Sequence, residues 1–373
     1  MMRVLVCGGG IAGLSTAIAL GGNGHEVRVI ERSRRWQTGG AGLHLPGNAH
    51  APMTYLGIAE DVARAGKAIP RIDYHSHRGN RLFSLNLAKK GWPPFQAIRR
   101  ADFHEILRRR ASAIEIGLGL EVASLEQGDD AAVRFSDGTT GRYDLIVGAD
   151  GINSRMRAAL FGEASAPRDM GLTCWRWTTD HPFEIDAPQF MVGCGSAALI
   201  MPLGGSRYYV YTSIEDPDRR FVDAAPAALA GILNEYDGAF GEMLTGLGPE
   251  DVVLSDRLVE ARPTRWIEGR ACLVGDAAHG TLPTIAQGAA QAMEDAVALA
   301  EELELGNDIP AALNRWQGRR MPRARWVQDQ SVKRMKLARL KAKPAVATRN
   351  MLFRMIGPMV LAGGWRPLIE EPF

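Results

Sequence analysis

The first thirty residues change their hydrophobic pattern twice. Residues 3–7 form a short apolar run of strand-forming residues, glycines follow, and residues 14–20 have the composition of a helix. Residues 26–30 are again strand-like, because β-branched residues dominate them. The order strand, glycine loop, helix, strand predicts the beginning of a βαβ unit.

Further along, helical and strand-like patterns follow one another. Residues 71–87 alternate in polarity around Arg78-Gly79-Asn80, which predicts a β-hairpin with a Gly-Asn turn. Strand formers dominate residues 171–259, with one helix-like stretch at 225–244. The other predicted elements are helices at 102–113 and 288–305 and strands at 143–147 and 271–274.

These elements predict an α/β protein with two interleaved domains. The beginning, middle and end of the chain form a Rossmann-like dinucleotide-binding domain, from residues 1–70, 100–165 and 265–335. A mixed, mainly antiparallel β-sheet domain for the substrate is inserted over residues 71–99 and 166–264. Residues 336–373 are predicted to form a C-terminal helical tail.

Composition indicates an ordinary globular protein. The 373 residues are 46% hydrophobic and 23% charged, and the net charge of +2 is too small to favour nucleic acid as a partner. A basic run at residues 315–343 is interpreted as a solvated helix face, since no aromatic residues are arranged within it to bind nucleic acid.

The four cysteines are far apart in the sequence. None belongs to a Cys-x-x-Cys pair, so we expect reduced thiols, no metal site and a cytoplasmic protein; the four are Cys7, Cys174, Cys194 and Cys272. Glycines break the apolar stretch at the N-terminus, and Arg354 and Pro358 interrupt the one at residues 351–365. Neither stretch fits a signal peptide or a membrane span.

A glycine motif follows the first predicted strand directly. In Gly8-x-Gly10-x-x-Gly13, Gly8 permits a tight turn, Gly10 lets the backbone approach a pyrophosphate, and Gly13 lets helix and strand pack closely. Ile11 and Ala12 open the helix, whose free N–H groups and positive dipole end favour phosphate.

An acidic residue ends the second predicted strand. Glu31, followed by Arg32, stands where a carboxylate accepts hydrogen bonds from both hydroxyls of a ribose. An acid at this position favours a free ribose, as in FAD or NAD, over a ribose phosphate.

Two later motifs carry a family resemblance. Residues 144–157 include the sequence Gly-Ala-Asp150-Gly151, and residues 269–279 include Val-Gly275-Asp276-Ala-Ala-His. Together with the glycine motif, with Arg100-Ala-Asp-Phe and with Glu-Asp-Ala at 294–296, they resemble the para-hydroxybenzoate hydroxylase family of single-component flavin monooxygenases. The resemblance covers about residues 1 to 330 and makes the dinucleotide-binding domain an FAD-binding domain.

The resemblance implies which residues hold FAD. Asp276 would hydrogen-bond the ribityl hydroxyls, and Arg100 would reach the pyrophosphate. The helix that begins over residues 283–290 would stabilise negative charge on the reduced flavin. Further expected FAD residues, of which the first three are partly structural, are Asp150, Gly151, Arg157, Gly275, Pro283, Gln287, Gly288, Ala289 and Ala290.

Two segments depart from the family pattern. The family usually has Pro-x-x-Gly-Gln-Gly-x-Asn. In this chain Ala286 replaces the first glycine of that motif, and Ala290 replaces the asparagine. That form is similar to branches acting on salicylate-like substrates. The second departure is the segment from Gly40 to Asn48, where the family more often has Pro-Asn, so the detail of this loop against the flavin is left open.

The resemblance also implies the chemistry. FAD would be reduced by NADH or NADPH, bound transiently, and would hydroxylate a small aromatic or heteroaromatic substrate with O2 through a flavin hydroperoxide. The substrate would lie between the flavin and the inserted sheet, with Pro283 on the flavin side and His44 as a candidate for phenol deprotonation. The candidate substrate residues, with Arg176 for a carboxylate, are Trp175, Arg176, Trp177, Met191, Met201, Tyr209 and Tyr211.

Alternatives remain open at this point. One is a flavoprotein of the same fold that oxidises or reduces without oxygen insertion, and another is a non-catalytic flavoprotein that shelters a reactive intermediate. A halogenase is disfavoured. Flavin halogenases usually have the motif Trp-x-Trp-x-Ile-Pro, whereas here Trp175-Arg-Trp177 is followed by Thr178 and Thr179. The sequence does not decide between NADH and NADPH, between monomer and homodimer, or among individual substrates.

Overall fold

The computed structural model describes residues 1–36, 42–128, 130–181, 184–306 and 308–373. Residues 40–48 are the segment that departs from the family pattern. Its first two residues, Gly40 and Ala41, lie outside the described residues, and the described part of it begins at Gly42. Within these ranges the structure consists of strands in four sheets and of helices that pack on them.

The strands of the described residues are numbered in chain order. They are β1 (Arg3–Cys7), β2 (Glu26–Glu31), β3 (Gly42–Leu45), β4 (Lys67–Ile69), β5 (Arg71–Ser76), β6 (Arg81–Asn86), β7 (Phe95–Arg99), β8 (Glu115–Leu118), β9 (Val122–Gln127), β10 (Ala131–Phe135), β11 (Thr140–Tyr143), β12 (Leu145–Gly148), β13 (Arg168–Asp180), β14 (Gln189–Val192), β15 (Ser196–Gly204), β16 (Arg207–Glu215), β17 (Leu254–Glu260), β18 (Ile267–Glu268) and β19 (Ala271–Leu273).

The α-helices are numbered in the same way. They are α1 (Ile11–Gly22), α2 (His50–Tyr55), α3 (Ala59–Ala65), α4 (Arg100–Arg110), α5 (Arg155–Phe161), α6 (Leu229–Ile232), α7 (Gly238–Thr245), α8 (Asp276–His279), α9 (Gly288–Glu304), α10 (Ile309–Ala338), α11 (Lys343–Gly363) and α12 (Arg366–Glu370). Short 3₁₀ turns stand beside several of them, including Pro283–Ile285 before α9.

The first sheet has the strand order β18-β19-β12-β1-β2-β8, and all of its pairings are parallel except that of β18 with β19. Strand β1 lies in the middle, and its residues Val4, Leu5 and Val6 are fully buried, as expected for a strand covered on both faces. The carboxyl ends of β1, β12 and β19 therefore meet at one edge. Because the three sequence motifs each follow one of these strands, the sheet brings them together.

The second large sheet has the order β17-β13-β16-β15-β14-β5-β6 and is antiparallel except for the β14–β5 pair. It confirms the predicted mainly antiparallel insertion. Strands β5 and β6 form the predicted hairpin, with Gly79 at φ +73° in its turn. A small sheet, β3-β7-β4, lies between the two large ones, and the remaining three strands form the meander β11-β10-β9.

Two predictions about helices were wrong in part. The helix-like stretch at 225–244 is split into a 3₁₀ turn, α6 and α7, because the chain turns at Gly238 with φ +66°. The predicted boundary between 335 and 336 falls inside α10, which is continuous from Ile309 to Ala338. The segment after it is helical as predicted, and α11 packs on the β5–β6 hairpin.

Candidate functional site

The glycine loop after β1 has the geometry of a phosphate-binding turn. Gly8 has φ +123°, and a Cβ there would lie 2.3 Å from the Ala149 oxygen; a Cβ on Gly13 would lie 1.8 Å from the Gly8 oxygen. A Cβ on Gly10 would meet no atom of the other described residues beyond its chain neighbours within 4 Å, so the space beside it is open among them. Helix α1 begins there without a side-chain cap, which leaves its first N–H groups for a ligand.

Glu31 is fixed beside this loop. Its carboxylate accepts hydrogen bonds from the Gly9 N–H at 2.8 Å and from the Ser33 N–H at 2.9 Å. The side chain thus stands at the end of β2, one strand from the phosphate turn, where the ribose of a dinucleotide is expected. Arg32, the next residue, is exposed.

One cavity of about 780 Å³ runs from the glycine loop to the second large sheet. At one end it is lined by Gly10, Ile11 and Ala12, and along its length by Gly151, Asp276 and residues 281–284. At the other end it reaches the sheet and helices α10 and α11. The space is therefore shared by the dinucleotide-binding fold and the inserted domain.

Asp276 and Arg100 both line the cavity near the glycine loop. The Asp276 side chain is open to the cavity, yet desolvation by the surrounding protein raises the pKa of its carboxyl, and His279, Arg100 and Arg157 oppose that shift. Arg100 makes no hydrogen bond or ion pair with another described residue. Both groups are available to a polar ligand that extends along the cavity.

The segment from Pro283 into α9 also borders the cavity. Ala286 has φ +56° and ψ +37°, the left-handed conformation in which a glycine carries no penalty. Helix α9 begins at Gly288 without a side-chain cap, so its N–H groups face the space. A Cβ on Gly288 would lie 4.0 Å from the Asp276 carboxylate, which places that acid beside the helix start.

Several expected FAD residues have structural roles. Asp150 accepts the Ser154 hydroxyl and the Met156 N–H, and so holds the start of α5. Arg157 is buried and donates to the carbonyls of Ile152, Ser165 and Ala277. Neither Asp150 nor Arg157 lines the cavity.

Two further expectations for the last motif, those for Gly275 and Ala290, need correction. A Cβ on Gly275 would lie 2.7 Å from the Cβ of Ala12, so Gly275 serves close packing of α8 against α1. Ala290 packs in the core instead of lining the cavity. The Gln287 side chain is fully buried in a hydrogen-bond network, and the residue borders the cavity as expected. Gly288 and Ala289 do line it.

On the substrate side, alternate residues of the sheet face the cavity. Arg176 pairs with Tyr211 across β13 and β16, and Tyr211 pairs with Leu199 of β15, so these three share one face. Tyr209 lies two residues along the same face, and all four line the cavity. Met201 is on this face too, but Gly42 of β3 packs over it, with an ideal Cβ 2.9 Å from the Met201 Cε, and it does not reach the cavity.

Trp175 and Trp177 were wrongly expected to line the substrate site. They alternate with Arg176 and therefore point to the opposite face, where they are buried in a core with Phe240 of α7. Met191 packs in the same core, although it also borders the cavity. Arg176 does line the cavity, but its Nη2 is ion-paired with Asp256 of β17.

His44 is buried at the cavity wall, 8% exposed. Its ring lies among those of Phe95, Phe190 and Trp365, at centroid distances of 5.9 to 6.2 Å. Neither ring nitrogen has a hydrogen-bond partner among the described residues. Burial lowers the pKa of His44 to about 4, so the imidazole is neutral near pH 7.

The sequence reading missed the role of the basic run at 315–343. Arg320 is fully buried and ion-paired with Glu294 and Asp295, so this part of α10 is core and not a solvated face. About four turns further along α10, Arg334 lines the cavity. The contact of Arg320 could have been indicated by helical periodicity, because Glu294 and Asp295 lie in a strongly apolar helix and need a basic partner from a neighbouring helix.

One group of residues with metal-binding side chains lies outside the cavity. The side chains of His77, Cys194 and Glu235 place one ligand atom each within 4.8 Å of one another. The Glu235 oxygens already accept the Cys194 N–H and the Ser196 hydroxyl. None of the three clustered residues lines the cavity, so the chemistry of the cavity does not involve them.

The fold and the site together define a dinucleotide-binding protein. Its cavity begins at the glycine loop and ends at an aromatic wall of the inserted sheet. The sequence profile of the FAD binding domain family matches residues 1–331. The aurachin C monooxygenase/isomerase of Stigmatella aurantiaca is 33% identical over 332 residues, 87% of this chain and 86% of the relative. The 3-amino-4-hydroxybenzoate 2-monooxygenase of Streptomyces cremeus is 30% identical over 340 residues, 86% of this chain and 84% of the relative.

A solved structure agrees over the whole chain. Klebsiella pneumoniae HpxO complexed with FAD and uric acid has a TM-score of 0.89 and 25% identity to this chain, covering 98% of it and 96% of HpxO. The chain belongs to the FAD binding domain family. FAD as cofactor, FAD-dependent monooxygenase as enzyme class, and the expected fold are thereby confirmed, with NAD(P)H the donor typical of these enzymes.

Among the described residues, no helix combines the length and apolar character needed to cross a lipid bilayer.

Proposed function

We propose that this chain hydroxylates a small aromatic or heteroaromatic molecule, with NAD(P)H as electron donor and O2 as oxidant. The observation that carries the proposal is one continuous cavity, which joins the glycine loop to the aromatic face of the inserted sheet. The named relatives support the substrate class, because one acts on an aminohydroxybenzoate and one structure contains uric acid.

The residues present at the first end of the cavity fit FAD. The open space beside Gly10 and the uncapped start of α1 suit a pyrophosphate, and Arg100 supplies a cation that makes no ion pair with a described residue. Asp276 suits the ribityl hydroxyls, and the start of α9 favours negative charge on the ring. When bound, FAD supplies hydride acceptance and oxygen activation.

At the second end, the chain's own residues exclude water and orient the substrate. Leu199, Tyr209 and Tyr211 present an apolar wall, and burial raises the pKa of both tyrosines, so they stay neutral. A dry wall of this kind suits oxygen transfer, because water promotes loss of the activated oxygen as hydrogen peroxide.

His44 is better suited to hydrogen bonding than to proton removal. With a pKa of about 4, it is too weak a base to deprotonate a phenol, which has a pKa near 10. As a neutral ring with both nitrogens unpartnered, it can accept a hydrogen bond from a hydroxyl or donate one to a carbonyl. We therefore assign His44 to positioning the substrate's polar group.

The test is NADH and NADPH oxidation by the FAD-loaded protein across a panel of phenols, benzoates and pyridines. Product and hydrogen peroxide are measured together, with ¹⁸O2 to trace the inserted oxygen. We expect one class to accelerate oxidation and to contain the label. Flavin reduction without incorporation for every class would favour an oxidoreductase that inserts no oxygen, and absent reduction by either donor would favour a non-catalytic flavoprotein.

Location and assembly stay predictions. The cysteines of the described chain, Cys7, Cys174, Cys194 and Cys272, are free and mostly buried, which supports a reducing compartment such as the cytoplasm. A monomer or homodimer is expected, and light scattering of the purified protein distinguishes the two.

A further inference from the structure

Four arginines line the cavity, and they differ in how their charges are compensated. Arg176 is ion-paired with Asp256, although its Nε has no partner. Arg257 is ion-paired with Asp169 at 2.8 Å and lies 3.5 Å from Asp216. The charges of these two arginines are therefore already neutralised by the protein.

Arg100 and Arg334 make no ion pair with any described residue. Arg100 stands beside the glycine loop and is accounted for by the pyrophosphate of FAD. Arg334 lies on α10, at the end of the cavity formed by the inserted sheet and α11. The two cations without an ion pair thus stand on different helices, α4 and α10, and both face the cavity.

The setting of Arg334 is apolar. Its guanidinium carbon lies 5.3 Å from the centroid of the Trp365 ring, and its Nη1 is buried without a hydrogen-bond partner. Its cavity neighbours include Tyr74, Phe83 and Phe353, which form a group of stacked and edge-on rings. Burial lowers the pKa of Arg334, and among the described residues only Tyr74 opposes the shift.

The carboxylates of the cavity do not serve as its partner. Asp256 is engaged by Arg176, and Asp276 lies near the glycine loop, beside the start of α9, and makes no ion pair with Arg334. A buried cation costs several kcal/mol unless an anion or several acceptors compensate it. An unpaired guanidinium that faces a cavity is therefore the expected counterpart of a ligand anion.

We propose that Arg334 binds an anionic oxygen of the aromatic substrate, a carboxylate or an equivalent ionised oxygen, while the ring lies among Tyr74, Phe83 and Phe353. The proposal rests on the function proposed above and narrows its substrate class to aromatic anions. It also replaces Arg176, the residue expected from the sequence, as the carboxylate-binding arginine.

Gly364 gives independent access to the position of this side chain. A Cβ on Gly364 would lie 2.5 Å from Nη2 of Arg334, and Gly364 has an ordinary φ of −76°. The variant Gly364→Ala therefore strains no backbone and displaces only the guanidinium, the flexible end of a side chain. It moves the charge without removing it.

The experiment titrates acid and amide pairs into the FAD-loaded protein and follows the flavin absorbance. The pairs are benzoate and benzamide, 2-hydroxybenzoate and 2-hydroxybenzamide, and 3-amino-4-hydroxybenzoate and its amide. The variants are Arg334→Met, Arg334→Lys and Gly364→Ala, and the control is Lys336→Met, which removes an exposed cation from the same helix.

For at least one pair, we expect wild type and Lys336→Met to bind the acid about tenfold or more tightly than the amide. Arg334→Met should bring that ratio to about one by weakening the acid alone, with Arg334→Lys and Gly364→Ala in between. Without ligand, Arg334→Met should melt at or above the wild-type temperature, because it removes an uncompensated buried charge.

Four results would overturn the proposal. They are equal affinity for acid and amide in every pair, an acid preference that survives Arg334→Met, a fall of several degrees in the ligand-free melting temperature of that variant, and loss of FAD from it. The last would assign Arg334 to the cofactor. Failure of the proposed function is distinguishable, because it appears in the wild type as absent NAD(P)H oxidation, whereas the anion test needs only bound flavin.

Discussion

Asn48 and Gln287 are 239 residues apart in the chain and exchange two hydrogen bonds, from Asn48 Nδ2 to Gln287 Oε1 at 2.9 Å and from Gln287 Nε2 to Asn48 Oδ1 at 3.0 Å. Asn48 Nδ2 also donates to Glu294 at 2.7 Å. All three side chains are buried. The contact ties the turn after β3 to the start of α9, and so sets the position of two walls of the cavity.

This relationship predicts a stability effect at Asn48. Replacing it with Leu leaves the buried Gln287 Nε2 without its acceptor and removes one of several donors to the Glu294 carboxylate, so the free energy of unfolding should fall by about 2–3 kcal/mol. Denaturant unfolding measures it. Asn314→Ala, at an exposed asparagine of α10, should change the value by less than about 0.5 kcal/mol. Equal stability of Asn48→Leu and wild type would show that the network is not stabilising.

The same network predicts a larger effect at Arg320. Its guanidinium contacts Glu294 at 2.8 Å and Asp295 at 2.9 Å, and all three groups are fully buried. Arg320→Met leaves two acidic groups without this cation and should cost about 3–5 kcal/mol. Arg315→Met, at a partly exposed arginine of the same helix, should cost about 1 kcal/mol or less. Thermal unfolding compares the two, and an equal cost would contradict the burial argument.

Gly10 and Gly13 should respond in opposite ways to an added side chain. Gly10→Val fills open space, so the flavin-free protein should keep its stability while FAD affinity falls by about tenfold or more. Gly13→Ala drives its Cβ into the Gly8 oxygen and should cost about 1–3 kcal/mol without any ligand. Unfolding of the flavin-free proteins and FAD titration separate the two effects. A Gly10→Val variant with wild-type FAD affinity would contradict the assignment of the loop.

Ala286 should be improved by glycine. Its left-handed conformation costs a residue with a Cβ about 1–2 kcal/mol, part of which the flexibility of glycine in the unfolded chain offsets. We therefore expect Ala286→Gly to stabilise the protein by about 1 kcal/mol in thermal unfolding. Ala289→Gly, at the first turn of α9, has no such strain to relieve and should be neutral or destabilising. Equal effects of the two changes would rule out backbone strain at Ala286.

His44 predicts a pH dependence of stability. Its pKa is about 4 in the folded protein against an ordinary value of 6.5, so the unfolded chain binds more protons between these values. Its contribution is therefore fully present above pH 6.5 and lost as the pH falls towards 4, by up to about 3 kcal/mol. His44→Leu should lack this component. Unfolding curves of both proteins across that range test it, and parallel curves would show that His44 is not desolvated.

Local patterns were sufficient for the dinucleotide-binding half. The strand, glycine loop, helix and strand over residues 3–31 depend on contacts between near neighbours, such as the close approach of Gly13 to Gly8. The three motifs could be expected to meet because parallel strands place their carboxyl ends at one edge. The pairing of Asn48 with Gln287 depends on two distant segments, and nothing in either segment indicates it.

The substrate side was harder to predict, for a physical reason. Strand β13 is covered on both faces, so the alternation of Trp175, Arg176 and Trp177 separates two faces without showing which one meets the cavity. Arg334 was hidden within a basic run for a similar reason. A helix that buries some arginines and exposes others looks uniformly basic until the packing partners of each side are known.

The central claim is that the three motifs enclose one FAD. The FAD content of the purified protein, after expression or reconstitution with ample flavin, tests it most directly. We expect a yellow protein with one FAD per chain. The FAD content of the Gly10→Val variant should be strongly reduced, although its fold should be intact. A colourless wild-type protein that still unfolds cooperatively, and that takes up no flavin on titration, would contradict it.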